Sequence, residues 1–338
     1  MKPSTFDFEE ERLAKEVKRR GSKLVLIQLP EGLKPQGPRL AEAVEKAGAV
    51  AIISADPCYG ACDLAEEEAK DLKADLLVHF GHDRIRYADK RGRLPTIYIE
   101  AEAKLSLGAT LRKALPLIKS WKRIGLVTTI QHVKHLGEAR KVLLAAGKSV
   151  AVGDVGKVSY AGQVIGCDLS NARAVAKDVD GFICISGGRF HAIGVALASS
   201  KPTVAADPYE VRAYSVEDDA DRIRKQRWAS IQETADAQRF GVLIGLKSGQ
   251  RRFEKALKIR RRLQEAAKKT TLLAVREISP ESLLQYPSID AYVNTACPRL
   301  SLDDTIRFRK PVLTVNEALV VAGEITWDQL LKEGWFED

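Results

Sequence analysis

No run of about 18 apolar residues occurs anywhere in this 338-residue chain, so no segment reads as a membrane-spanning helix. Residues 1–20 are charged and lack the apolar stretch of a signal peptide, so the chain is expected to be cytoplasmic. Aromatic residues make up only 6% of it, and basic and aromatic residues do not interleave. No stacking platform for bases is foreseen, and direct nucleic-acid recognition is unsupported despite a net charge of +9. That charge suits an acidic protein partner equally well and does not choose between the two. Cysteine is scarce: five are scattered over the chain, an odd number that argues against a disulfide framework. The thiols remain as core fillers, a redox pair or metal ligands.

What the chain does have is internal repetition. Apolar strands begin at residues 23, 123 and 239, each preceded by a charged amphipathic segment (6–20, 109–122 and 219–237). A second helical pattern follows each strand (37–47, 133–146 and 251–268), and Gly48 and Gly147 close two of these as C-terminal glycines do. A second set of strands opens on Asp75, Asp180 and Asp290, spaced by 105 and 110 residues. A third set follows Pro95, Pro202 and Pro311, spaced by 107 and 109. Short continuous apolar runs alternating with helical periodicity predict mostly parallel sheets covered by helices. The fold expected is α/β, with three pseudo-repeated domains at 1–108, 109–216 and 217–338. No low-complexity linker separates them, so they are expected to pack together.

The cysteines fall into this frame. Cys62 lies 13 residues before Asp75, and Cys167 lies 13 before Asp180. Both precede Asp-Leu and follow a nearby glycine, so they occupy one loop in two units. Unit three has Glu277 at that offset; its cysteine, Cys297, lies seven residues past Asp290. All three positions sit at carboxyl ends of predicted strands, where open parallel sheets bind ligands. Cys184 is inside an apolar run and reads as a core filler. Cys58 forms a CxxxC pair with Cys62, but position 65 is Ala65, so the three-cysteine radical-enzyme motif is absent. A structural zinc needs a fourth ligand beyond three thiolates, whereas an iron–sulfur cluster with three cysteines keeps one iron open. Cluster, zinc and no metal all remain open on this reading.

Three segments break the tie by resemblance: Asp56-Pro57-Cys58-Tyr59-Gly60-Ala61-Cys62-Asp63-Leu64-Ala65, Gly162-Gln163-Val164-Ile165-Gly166-Cys167 and Asn294-Thr295-Ala296-Cys297-Pro298-Arg299. Together they resemble the cysteine motifs of the archaeal diphthamide biosynthesis enzymes, the 2-(3-amino-3-carboxypropyl)histidine synthases, and the likeness covers essentially the whole chain. It implies a central [4Fe–4S] cluster held by Cys62, Cys167 and Cys297, with S-adenosylmethionine on the fourth iron. It also implies transfer of a 3-amino-3-carboxypropyl group to carbon 2 of a histidine of translation elongation factor 2. In that family a non-standard radical cleavage of the Cγ–S bond leaves methylthioadenosine. A homodimer and an unidentified electron donor are implied as well.

Strand-end residues make up the expected S-adenosylmethionine contacts: Gln28, Glu31, Tyr59, Gly60, Ser186, Gly187, Lys247, Gly249 and Gln250. The run from Gly245 to Gln250 is expected to offer backbone N–H groups to a carboxylate; it is not a P-loop, because no Gly-Lys-Ser/Thr triplet occurs in it. His132 and His135 read as solvent-facing rather than as a metal pair. His79 or His82 is expected to be a hydrogen-bonded buried imidazole, with ligand contact as the alternative, and His191 has no visible partner. The basic stretch 251–269 reads as a solvated helix with Phe253, Ala256, Leu257 and Leu263 on its apolar stripe; docking an acidic protein surface is the functional alternative. Two rival readings are a quinolinate-synthase-like three-domain iron–sulfur enzyme and a metal-stabilised protein-binding module.

Overall fold

The central apolar runs of each unit have no polar face to present to water, so they become strands covered on both sides. The computed structural model describes residues 5–85, 94–303 and 305–336. Residues 1–4, 86–93, 304 and 337–338 therefore lie outside the described residues, and with them the first four of the charged N-terminal residues 1–20 and the last two of the third unit. In unit one the lead strand Leu24–Gln28 pairs in parallel with Val50–Ile53 on one side and Leu76–Phe80 on the other, with Thr96–Ile99 beyond. In unit two Arg123–Thr128 lies between Ser149–Ala151 and Gly181–Ile185, followed by Thr203–Asp207. Unit two also gains an antiparallel edge, Arg212–Ser215. In unit three Arg239–Gly245 lies between Lys269–Val275 and Ala291–Asn294, followed by Val312–Thr314. The order is the same each time: edge strand, lead strand, aspartate strand, proline strand. The mostly parallel α/β architecture expected from the sequence is what the structure shows.

The leading aspartates have a shared job. The carboxylate of Asp75 accepts the Lys23 N–H at 2.7 Å. Asp180 accepts from Lys122 and Arg123 at 2.6 and 2.8 Å, and Asp290 from Gln238 and Arg239 at 2.9 and 2.8 Å. Each carboxylate thus pins the start of its neighbour strand. These backbone N–H groups hold Asp180 and Asp290 below the ordinary carboxylate range. Gly48 and Gly147 adopt φ of 95° and 75° just past their helices, the left-handed closure expected of them.

Two helical patterns are interrupted. The 109–122 segment is a helix only over Gly108–Ala114 and tightens to a 3₁₀ turn at Leu115–Ile118, because Pro116 has no N–H to continue the ladder. The 251–268 segment is a helix over Phe253–Glu265, and its buried stripe is Ala256, Ile259 and Leu263. Phe253, expected on that stripe, is instead exposed at the helix start.

A buried ion pair braces unit three from within, and apolar contacts fasten it to unit two. Arg227, on the helix Glu217–Glu233, donates to the Glu317 carboxylate at 2.8 and 2.6 Å and to the carbonyls of Ser301 and Val312 at 2.8 and 3.0 Å. Trp335 Nε1 donates to the same carboxylate at 2.7 Å. Both side chains of the ion pair are fully buried. Leu330, Trp335 and Phe336 pack into a core whose other members, such as Phe182 and Leu197, come mainly from unit two. Arg227→Ala leaves the Glu317 charge buried without its cation and is expected to cost about 3–5 kcal/mol in denaturant unfolding. The double variant Arg227→Met, Glu317→Leu removes both charges and should lose markedly less.

Candidate active site

Lining residues of a single cavity of about 490 Å³ follow the strand ends of all three sheets. Residues 59–62 come after Val50–Ile53, 81–83 and 85 after Leu76–Phe80, 129–131 after Arg123–Thr128, and 276–278 after Lys269–Val275. Cys62, Cys167 and Cys297 all border it. The fold therefore brings three thiols more than 100 residues apart to one space.

Each thiol is held in a different way. Cys62 receives the Gln250 Nε2 hydrogen at 3.6 Å, and its carbonyl accepts the Gly249 N–H at 2.8 Å. Gly249 has to be glycine here: a Cβ would lie 2.5 Å from the Cys62 Cα. Cys167 follows Gly166, beside the Phe190 ring. Cys297 precedes the short helix Pro298–Asp303, whose Arg299 and Leu300 N–H groups favour its thiolate. Burial outweighs these aids and raises all three thiols, Cys62 to about 11 and Cys167 to about 12. Cys297 works against the Cys62 thiolate, and Cys62 and Cys297 both work against that of Cys167. Three buried thiolates need a multivalent cation among them, and that is the donor set an iron–sulfur cluster requires. All three are free thiols.

A second polar group stands behind this wall. His79 is buried, its Nδ1 2.9 Å from Gln28 Oε1 and its Nε2 3.1 Å from His82 Nδ1. Burial holds His79 well below its ordinary value and His82 at about 4; Asp83 and the Phe80 carbonyl only partly offset the latter. Cys58, His79 and His82 have ligand atoms all within 4.8 Å of one another; among the described residues the three cavity thiols do not form so tight a group. That wider spacing suits a cluster with one iron per thiolate better than one shared ion. Cys58 is buried, pushed up to about 12, and absent from the cavity wall. Cys184 sits wholly buried in its strand, 3.8 Å from the Ser186 hydroxyl.

Of the expected substrate contacts, Tyr59, Gly60, Lys247 and Gln250 border the cavity. Lys247 lies between the carboxylates of Asp63 and Glu277 at 2.9 and 2.8 Å, its ammonium 4.3 Å from the Tyr59 ring centre. Burial opposes its charge, but hydrogen bonds to Glu277 and Asp63 prevail and raise it. The remaining five lie elsewhere. Gln28 is committed to backbone groups and His79, and Glu31 pairs with Lys34 at the surface. Ser186 is buried beside Cys184, Gly187 lies against the Tyr209 ring, and Gly249 packs under Cys62. The 245–250 run does not offer the free donors expected of it at its end, since the N–H groups of Gly249 and Gln250 bond to the carbonyls of Cys62 and Lys247.

His132, expected at the surface, is fully buried on the 3₁₀ turn Ile130–His135 against Tyr209. Sequence reasoning did not single out Arg299, Asp83 or Gln131. Arg299 donates to the Phe190 carbonyl at 2.9 Å and lies over that ring at 3.8 Å; its place two residues past Cys297 was the available signal. Asp83 accepts from Gln163 and Ser159, and Gln131 donates to the Gly81 carbonyl, tying units one and two together at the cavity rim.

Comparison with known proteins gives a consistent set of relatives. A family model for diphthamide synthesis proteins matches residues 29–331. The 2-(3-amino-3-carboxypropyl)histidine synthase of Pyrococcus horikoshii is 37% identical over 324 residues, covering 94% of this chain and 92% of the relative. Subunit 1 of the Gallus gallus enzyme of the same name is 32% identical, covering 97% of this chain and 79% of the relative. Among solved structures, Dph2 from Pyrococcus horikoshii with a 4Fe-4S cluster superposes with a TM-score of 0.86 at 34% identity, covering 95% of this chain and 92% of that one.

With thiols raised this far, cluster-free protein is expected to alkylate slowly at pH 8. The rates at Cys62 and Cys167 should still be rising at pH 10, because each thiolate forms only near its raised pKa. Peptide mapping after timed iodoacetamide exposure reads this directly.

Proposed function

The chain belongs to the diphthamide synthesis protein family, and from this we infer that it is a 2-(3-amino-3-carboxypropyl)histidine synthase. It is a transferase of the first step of diphthamide synthesis, with a [4Fe–4S] cluster as cofactor and S-adenosylmethionine as co-substrate. This assignment replaces the quinolinate-type and binding-module readings. The observation that carries it on the structural side is the convergence of Cys62, Cys167 and Cys297 on one cavity.

In our reading those three thiolates would hold the cluster, with S-adenosylmethionine beside it in the space walled by Tyr59, Gly60, Lys247 and Gln250. When bound, the cluster would supply the electron that opens the Cγ–S bond of the sulfonium. The chain's own part is to present the γ-carbon, rather than the adenosyl carbon, to it. Lys247, held by two carboxylates, presents fixed charge at that wall, and the apolar faces of Ile130, Val164 and Phe190 exclude water. The target is a protein histidine, which we take to be that of elongation factor 2. The basic helix Phe253–Glu265 is the proposed docking face, in a cytoplasmic homodimer served by a separate electron donor. No helix among the described residues is long and apolar enough to cross a membrane.

Dithionite-reduced, cluster-loaded protein should convert S-adenosylmethionine to methylthioadenosine; 5′-deoxyadenosine as the main product would refute the bond selectivity. Cys62→Ala, Cys167→Ala and Cys297→Ala should each lose iron and product, while Cys58→Ala and Cys184→Ala should keep a full complement of iron. Substrate binding should weaken with salt and survive removal of the cluster if the basic helix docks it.

A further inference from the structure

Three side chains behind the cavity fix one another's protons. Gln28 Nε2 donates to the Asp63 carbonyl at 2.6 Å, and Gln28 Oε1 accepts the Ala65 N–H at 3.1 Å. A carbonyl cannot donate and a backbone N–H cannot accept, so the amide has one allowed orientation. Oε1 is then also the acceptor toward His79, which carries its proton on Nδ1. In a fully buried neutral ring the other nitrogen, Nε2, holds a lone pair. It faces His82 Nδ1 at 3.1 Å, where a second lone pair would repel, so His82 carries its proton on Nδ1. His82 borders the cavity, and Nε2 is the ring nitrogen it has left to offer as an acceptor.

We propose that His82 is the base that takes the proton leaving carbon 2 of the substrate imidazole, with Gln28 and His79 positioning it in the accepting tautomer. This rests on the transferase reading above. The net transfer forms the C2–Cγ bond and breaks the Cγ–S bond, whose electron pair stays on the sulfur of methylthioadenosine. The C2–H bond also breaks, its electron pair stays in the ring, and the proton goes to His82 Nε2. The positive charge of the sulfonium thus ends on the imidazolium, and no oxidant or reductant is consumed overall. Losing this proton restores the aromatic ring, so a weakly basic imidazole suffices. Asp83 favours the charge that His82 acquires, and is itself fixed by Gln163 and Ser159. His191 borders the same cavity, but among the described residues its Nδ1 has no hydrogen-bond partner to fix its tautomer.

The chain has five histidines, few enough to read individually by long-range ¹H–¹⁵N correlation on the full-length protein with oxidised cluster. His82, assigned against His82→Gln, should show the Nδ1–H form, and Gln28→Leu should mix the tautomers. In cluster-loaded His82→Ala, iron content should hold and methylthioadenosine release from S-adenosylmethionine should stay within about threefold, while transfer to the protein falls about 100-fold. Added imidazoles should restore transfer in order of their basicity. An Nε2–H tautomer overturns the assignment, as does an equal fall in methylthioadenosine release and transfer at full iron content. It is also overturned if rescue follows His191→Ala instead, or if the wild type retains zinc on Cys58, His79 and His82. Wild-type protein that makes no methylthioadenosine refutes the transferase reading and the base with it; the other outcomes refute the base alone.

Discussion

Three thiols that cannot all ionise side by side are the constraint on which the rest of this structure depends. Removed from water, each disfavours its own charge and, once charged, that of its neighbours. The protein keeps them close, so their stable charged state has to include a cation shared among them. The cavity wall supplies donors that favour thiolate without balancing three charges: the Gln250 amide at Cys62 and two helix N–H groups at Cys297. The balance is left for the cluster.

The three sheets make this closeness possible because each ends its parallel strands on the same side. A carboxylate at the head of each aspartate strand locks the adjacent lead strand, which sets where the following loops emerge. Those loops then tie unit to unit: Lys247 to Asp63, Asp83 to Gln163, Gln131 to Gly81, and Glu67 to both Arg251 and Arg276. All of these ties are polar, and most include a residue of the cavity wall. The heavier apolar fastening, through Trp335 and Phe336, lies away from it. Rigidity is thus provided at a distance, and the rim keeps charged groups such as Lys247 and Asp83 at the cavity.

Much of the fold was legible in the sequence because a triple repeat leaves three chances to see each strand, helix and turn. The shared 13-residue offset picked Cys62 over Cys58, and the structure places Cys62 on the cavity wall and Cys58 behind it. What sequence could not show is which way a strand-end side chain turns. Gln28 stands at the end of its strand as expected, yet its amide is turned onto backbone groups and His79. Gly249 belongs to the site as the space that lets another backbone approach, which no pattern within its own segment encodes. His132 was misjudged because a 3₁₀ turn, rather than the start of an α-helix, rotated it inward.

The three cavity thiols stand at positions 62, 167 and 297, one from each unit and the last from a different strand end than the other two. A chain in which one unit has not docked brings at most two of them to the cavity. With the ligand set proposed above, such a chain would leave the iron short of a protein anchor. Iron retention would then report that every unit has docked.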